Sequence, residues 1–439
     1  MRMAEIAPLT PLRFDTNRIP LDRVVAPPYD VIDEEGRKEL EARHPENVVR
    51  LILPRGEGDA KYETARETLA DWKNRGVLVR DDEPAFYRYD QTFSPPGGGP
   101  RATRRGFLAL VRTQPFADRI ILPHERTLSG PKEDRLKLFR ATKTNLSPGF
   151  MLYRDPRLTL DAPLESGHVI SEFSTEDGIH HALAKVTSRD AIETVVKTIK
   201  DLSLLIADGH HRYETSLRYS GEIDAANPGA LPRAAHHYFM VFLCNEDDPN
   251  LKVFATHRHI HDLPKARELS WLEQARDLFH VERLGKVIPA AELLKKVREK
   301  GDGTPAFGFV TKDESVVLTL KSDAPVDEHP VLKEVHPTLR RTDVVLLHRA
   351  ILEHLLGITL EAQAAKTNLW YPQDGTLAQH DLASGKGDAL FLLNPTPVTD
   401  VRRVAEAGEV MPQKATFFFP KVLTGLAIHT LEADRIVAS

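Results

Sequence analysis

Two periods of apolar residues run along this chain. Around residues 63–75, Tyr62, Ala65, Leu69 and Trp72 share one face at helical spacing, and Gly76 follows as the left-handed residue that ends the helix. At 190–200, Ile192, Val195, Val196 and Ile199 keep the same spacing, with Ser188 or Asp190 in position to cap. Helices are also predicted over 271–279, 290–299 and 343–356, the last burying Val344, Leu347, Ile351 and Leu355 and stopping at Gly357. Alternating or continuous apolar runs predict strands at 51–53, 77–79, 85–93, 105–112, 202–206, 238–243, 253–260, 305–310, 315–320, 389–393 and 415–419. Prolines and glycines at 94–100 turn the link between 85–93 and 105–112 into a wide hairpin loop.

This order of elements predicts a mixed α/β (α+β) fold. The texture changes after Asn227, which divides the chain into residues 1–225 and 226–439, the second part folding against the first to enclose a cleft. A length of 439 residues suits two such units.

Composition then removes several function classes. A formal charge of -5 supplies no general cationic field, so DNA is not expected as a partner. The single cysteine, Cys244, rules out an intrachain disulfide and suits a reducing compartment. No apolar run reaches the length of a membrane span, and the residues before Pro8 are too polar for a secretory segment. The expectation is a cytoplasmic protein without a membrane partner, with homo-oligomerisation left open.

Chemistry concentrates in Asp208-Gly209-His210-His211-Arg212-Tyr213, which follows the helix at 190–200 and the strand at 202–206 and opens another helix from about Tyr213. Polar groups at a helix N-terminus favour an anion, because the first amide N–H groups lack intrahelical partners and Gly209 lets the backbone come close. Arg212 can fork onto phosphate oxygens, His210 and His211 can donate or shuttle protons, and Asp208 can hold a divalent ion or orient a histidine.

A second cationic stretch lies upstream. His124, Glu125 and Thr127 precede Lys132, Arg135 and Arg140, with Ser129, Asn145 and Ser147 as neutral donors. Lys132, Arg135 and Arg140 can neutralise a di- or triphosphate while Glu125 acts as base or binds magnesium; a solvated basic helix is the plainer reading. His124-Glu125 is no zinc-protease motif, since no histidine stands four residues after His124. Pro27 and Pro28 stiffen the backbone before Tyr29 and Asp30, which suits a fixed carboxylate or an ordinary turn equally. Asn47 and Arg50 could reach the same cleft, or serve as a cap and a surface charge. Lys414, Thr416 and Lys421 bracket the strand at 415–419 and could close a phosphate site from the far unit; protective edge lysines are the alternative. His257, His259 and His261 alternate, as on one strand face, but partnered histidines are expected there and at His236-His237.

Asp208 to Arg212 resembles the signature turn of the ParB/sulfiredoxin-like superfamily, and is similar to the turn of its free-serine kinase members. Over its length the chain also resembles a bacterial family of unknown function (domain of unknown function 1015) often filed under SpoOJ/ParA/ParB/RepB names, through 25–31, 123–127, 206–213 and 411–421. The resemblance implies a ParB/sulfiredoxin-like core in the first unit and phosphotransfer from a nucleotide, ATP or ADP, to a small hydroxyl metabolite such as free serine. In that reading Asp208, Glu125, His210 and His211 are catalytic, Asp208 and Glu125 bind magnesium, and Gly209, Arg212, Tyr213, His124, Thr127, Lys132, Arg135, Asn145, Tyr29, Asp30, Lys414 and Thr416 hold the phosphate-bearing ligand. Hydrolysis of a phosphate ester such as phosphoserine, or a non-catalytic nucleotide switch, would use the same residues. A partition role is disfavoured by the acidic balance and the lack of a helix-turn-helix, and sulfiredoxin chemistry by the lack of a nearby thiol.

Overall fold

The computed structural model describes residues 3–96, 98–127, 129–229 and 231–438, with the side chains of Ser129 and Pro131 outside the description. The side chain of the proposed donor Ser129 and part of the 94–100 loop therefore lie outside the description.

Two sheets organise the chain into the mixed α/β fold expected. In the first, Ile121–Leu122, Leu204–Asp208, Gly149–Tyr153, Tyr238–Asn245, Ala102–Arg112, Phe86–Phe93, His180–Val186 and His168–Ser174 lie side by side in that order, and Ile6–Ala7 joins Ala102–Arg112. Leu204–Asp208 runs parallel to Ile121–Leu122, and Tyr238–Asn245 parallel to Gly149–Tyr153; the other neighbours are antiparallel. The two central strands are buried at every residue, which is why they carry continuous apolar runs. The outer strand His168–Ser174 buries nothing fully and has no apolar period to announce it.

The second sheet is antiparallel, in the order Phe279–Arg283, Ser315–Leu320, Ala306–Val310, Ala389–Leu393, Arg258–Ile260, Leu369–Trp370. It corrects several expectations. The run at 253–260 is two strands, Lys252–Phe254 pairing with Phe417–Phe419 and Arg258–Ile260 entering the second sheet. The helix at 271–279 stops at Ala275, and Phe279 begins a strand. Residues 51–53 lie in a helical turn, Val49–Ile52, a stretch too short for periodicity to separate helix from strand. After one α turn, Asp343–Val345, the chain continues as a π-helix over Leu346–Leu355, and its buried face widens to take in Leu346, His348, Ala350 and Leu352.

Backbone pairing shares the chain between the sheets differently from the 225/226 division. Tyr238–Asn245 is central to the first sheet, and the segment after residue 410 returns to that sheet's side: Met411 bridges Glu125, Thr424 bridges Ala26 and Ile428 bridges Leu12. One cluster of buried apolar side chains, from Ala7 to Val437, takes residues from both sheets. Among the described residues no helix is long and apolar enough to cross a membrane.

One ion pair fastens the late part of the chain to the first sheet. Arg402, on the helix Val398–Glu406, lies 2.6 Å from Glu246 at the end of the central strand and also donates to Ser203 and the Leu152 carbonyl. Both side chains are under a tenth exposed. Arg402→Ala would strand a buried carboxylate, and urea unfolding is expected to show a loss of about 3–5 kcal/mol. Arg66→Ala, which removes an exposed helix pair with Glu63, is expected to change little.

Candidate functional site

The buried strand Leu204–Asp208 delivers Asp208 to the edge of the core, and Gly209 turns the chain at φ 92° into the helix His210–Ala226. The helix starts three residues before the expected Tyr213, which puts His210, His211 and Arg212 on its first turn. A Cβ on residue 209 would stand 3.1 Å from the Arg212 guanidinium, so glycine is required for the left-handed turn and for this close approach.

Asp208 is held by two cations. Its Oδ2 accepts from Arg212 at 2.7 Å, and its Oδ1 from Lys421 Nζ at 3.2 Å. Arg212, nearly buried, also donates to the Pro148 carbonyl. Burial would raise the Asp208 pKa, but Lys421 and Arg212 outweigh it and hold the carboxyl well below its ordinary value. A third cation lies close by. Arg104 is fully buried over the rings of Phe150 and Phe242, its centre 4.8 and 5.4 Å from theirs. Its Nη2 donates to the Pro420 carbonyl at 2.6 Å and to Gln91, while its Nε and Nη1 have no hydrogen-bond partner among the described residues. Burial pulls its pKa to about 10. Two cations thus hold Asp208 directly, and Arg104 is near enough to feel its charge.

The two histidines of the motif part ways. His210 is buried, and its Nε2 accepts from the main-chain N–H of His124 at 3.2 Å. His124 is buried too: its Nδ1 donates to the Ile206 carbonyl at 2.6 Å and its Nε2 meets the Thr416 hydroxyl at 3.0 Å. The rings are 4.7 Å apart, and burial lowers both pKa values, so both imidazoles are neutral braces between the motif, residues 123–125 and the late segment. His211, half-buried, faces the outer side, with Glu125, Glu214, Asp30 and Lys132 near enough to act on its charge. Burial lowers its pKa as well.

The remaining predicted residues divide between this outer side and the interior. Glu125 accepts the Lys414 N–H at 2.8 Å. Thr127 donates to Glu214 at 2.8 Å, and Lys132 bridges Thr127 and Glu214 at 3.0 and 2.8 Å. Asp30 and Lys414 are exposed. Six others are used up by the fold. Arg135 is buried, pairs with Asp134, donates to the Ile52 carbonyl and covers the Tyr29 ring at 4.2 Å, which occupies Tyr29 as well. Asn145 bonds the Ser147 carbonyl and the Met240 N–H, joining neighbouring strands. Tyr213 points into the opposite core, its hydroxyl tied to Gln114 and its ring against Phe116. Asn47 caps Val49 and donates to the Arg23 carbonyl, while Arg50 bonds Glu41.

Among the histidines set aside, His257 accepts from the Leu393 N–H and His261 pairs with Asp262 against Trp370. Glu214 was missed, although a carboxylate directly after the motif on the first helical turns was visible. Arg104 gave only the period-two hint that residues 102, 104 and 106 face one side.

Two cavities adjoin the site. One of ≈ 370 Å³ has Lys421 at its wall with Phe417, Phe419, His181, Thr175 and Gln373. The other, ≈ 490 Å³, begins at Arg126 and Met411 and runs past His348, Gln363 and Tyr371.

The family model described as "Protein of unknown function (DUF1015)" matches residues 6–345. Among curated proteins no sequence matches the chain. Similar solved structures include a free serine kinase variant in complex with ADP, at 15% identity and a TM-score of 0.35, covering 69% of this chain and 87% of that one. A conserved hypothetical protein from Pyrococcus furiosus gives 16%, 0.33, 69% and 90%, and a C-terminally truncated SbnI from Staphylococcus aureus 10%, 0.34, 72% and 85%. Superpositions this loose carry no residue roles across.

The charge cluster has a signature in acid. Because the folded Asp208 pKa lies below its ordinary 3.8, its contribution is present above the unfolded value and is lost as pH falls through the folded one. Asp208→Asn leaves Lys421 and Arg212 uncompensated and is expected to lose about 3–5 kcal/mol at pH 7. In urea unfolding, the wild-type advantage over this variant should stay level from pH 7 to 5 and shrink only below about pH 4.

Proposed function

The chain belongs to the DUF1015 family, and we propose that it is a nucleotide-dependent phosphotransferase acting on a small hydroxyl metabolite, with free serine the leading acceptor. The observation that carries this reading is the surplus of positive charge at the motif: Arg212, Lys421 and Arg104 stand around the single carboxylate of Asp208. In a largely dry place such a surplus stabilises an added anion, and phosphoryl transfer needs cations fixed in advance around the moving group. The amide N–H groups of the first turn of His210–Ala226 add to the same field.

In this reading the phosphates approach Lys421 from the ≈ 370 Å³ cavity, where Phe417 and Phe419 offer flat apolar surface to a base. Asp208 keeps Arg212 and Lys421 in place, and its own oxygens are occupied, so the metal role passes to the outer carboxylates. Glu125 and Asp30, both near enough to act on the charge of His211, are hard oxygen donors that suit magnesium, whereas Glu214 already gives its oxygens to Thr127 and Lys132. Magnesium there would draw charge off the transferring phosphate. Glu125, beside the mouth of the ≈ 490 Å³ cavity through Arg126 and Met411, would take the proton of the acceptor hydroxyl. His210 and His124 position these segments without exchanging protons.

The proposal keeps a ParB/sulfiredoxin-like character for the first unit, supported by the order helix, buried strand, Asp-Gly-His-His-Arg turn and helix. It also keeps two units, with the boundary moved beyond Asn245, where the central strand ends.

Incubation with ATP or ADP, magnesium and a pool of small alcohols including serine should yield a product heavier by one phosphoryl group in mass spectrometry. Glu125→Gln is expected to lower turnover by roughly 10²–10⁴-fold with the fold retained, and Lys421→Ala to weaken nucleotide binding. Phosphate release from phosphoserine without nucleotide would replace the kinase with a hydrolase. Failure to bind either nucleotide would sink the reading.

A further inference from the structure

At the far end of the motif helix, three side chains of a different kind converge. Asp224 lies in the last turns of His210–Ala226, and His236 and His237 sit in the short 3₁₀ turn Ala235–His237 that enters the central strand Tyr238–Asn245. Both histidine Nε2 atoms point at the same oxygen, Asp224 Oδ1, each at 2.8 Å. The three candidate donor atoms all lie within 4.8 Å of one another. The rings are in contact, 4.2 Å between centres and tilted by 52°.

From these contacts we propose that Asp224, His236 and His237 form a binding site for a borderline divalent cation of the zinc class. Two imidazoles and one carboxylate are the donor types that such ions take, and three protein ligands leave one or two positions for water or an exogenous ligand. Exposure fits that arrangement: His236 is fully buried and the His237 side chain 12% exposed, while the Asp224 side chain is 46% exposed, so the carboxylate forms the open rim. The backbone is fixed in advance. His237 donates its N–H to the Ala234 carbonyl and its own carbonyl accepts from Thr113, while Ala235 bonds Arg435.

Both Nε2 atoms reach the same oxygen, so the two imidazoles and the carboxylate converge on one point instead of forming separate pairs. The Nδ1 of each ring has no hydrogen-bond partner among the described residues, whichever group occupies Nε2. Asp224 stands fourteen residues after His210, about 21 Å along the helix axis. The site is therefore separate from the proposed magnesium ligands, and its hard/soft character differs from theirs.

The test uses the untagged full-length protein, stripped with chelator and titrated with Co²⁺ and Zn²⁺. One equivalent of cobalt should bind, with visible bands of four- or five-coordinate geometry, and zinc should displace it. Asp224→Asn and His237→Ala, both at partly exposed positions, should each weaken binding at least ~10-fold, while His168→Ala, at an exposed histidine on the first sheet's outer strand, should not. A midpoint of thermal unfolding that rises with zinc in the wild type and not in Asp224→Asn checks the same point by a second route. Wild-type-like cobalt affinity in both folded variants, or no binding beyond that of His237→Ala in the parent protein, overturns the proposal. Neither result bears on phosphotransfer.

Discussion

Everything at the candidate site depends on how one carboxylate is compensated. Asp208 ends a buried strand, and its two oxygens reach Arg212 four residues on and Lys421 from the end of the fold. Without Asp208, two cations would face each other and Arg104 in surroundings too dry to screen them. With it, the strand, the first turn of the helix and the returning segment are locked into one geometry. The lock leaves a net positive field, and that field is the chemical content of the site.

The neutral histidines do the complementary work. His124 and His210 spend their nitrogens on main-chain groups and on Thr416, so they fix where residues 123–125 lie relative to the motif. Glu125 is thereby held at the rim with its neighbours Glu214 and His211, while the cations stay inside. A division into a positive interior and a carboxylate-rich rim follows from which side of the helix each residue occupies. His210 and His211, adjacent in sequence, fall about 100° apart around the helix axis and so belong to different halves of the site.

Much of this was legible in the sequence, and the rest was hidden for identifiable reasons. The helix at 190–200, the strand leading to Asp208 and the glycine turn all show in local periodicity and turn chemistry, and the structure has each of them. Periodicity failed where an element was short, as at Val49–Ile52, and at 346–355 it found the helix and its buried Leu347 and Ile351 but not the wider buried face of a π-helix. Residue types identified the motif but not the partners. Arg212 reads as a free phosphate ligand until Pro148 and Asp208 are seen to take its donors, and Arg135 until Asp134 and Tyr29 do. Pro148 and Tyr29 are distant in the chain, so no local pattern encodes those contacts, while Asp208 and Asp134 are sequence neighbours whose choice of cation the residue types leave open. The place of Tyr238–Asn245 at the centre of the first sheet is of the same kind, because strand order is a property of the assembled sheet.

The return of the late segment has a consequence for biosynthesis. Lys421 follows Asp208 by 213 residues, and Thr416 and Lys414 come only slightly sooner. A nascent chain therefore exposes the motif long before its counter-ion leaves the ribosome, and Thr144–Asn145 must wait unpaired for His429–Thr430, the strand that completes their two-stranded sheet. A ribosome-stalled or prematurely terminated product would carry the signature turn and yet be inert, and would be a natural client for chaperones.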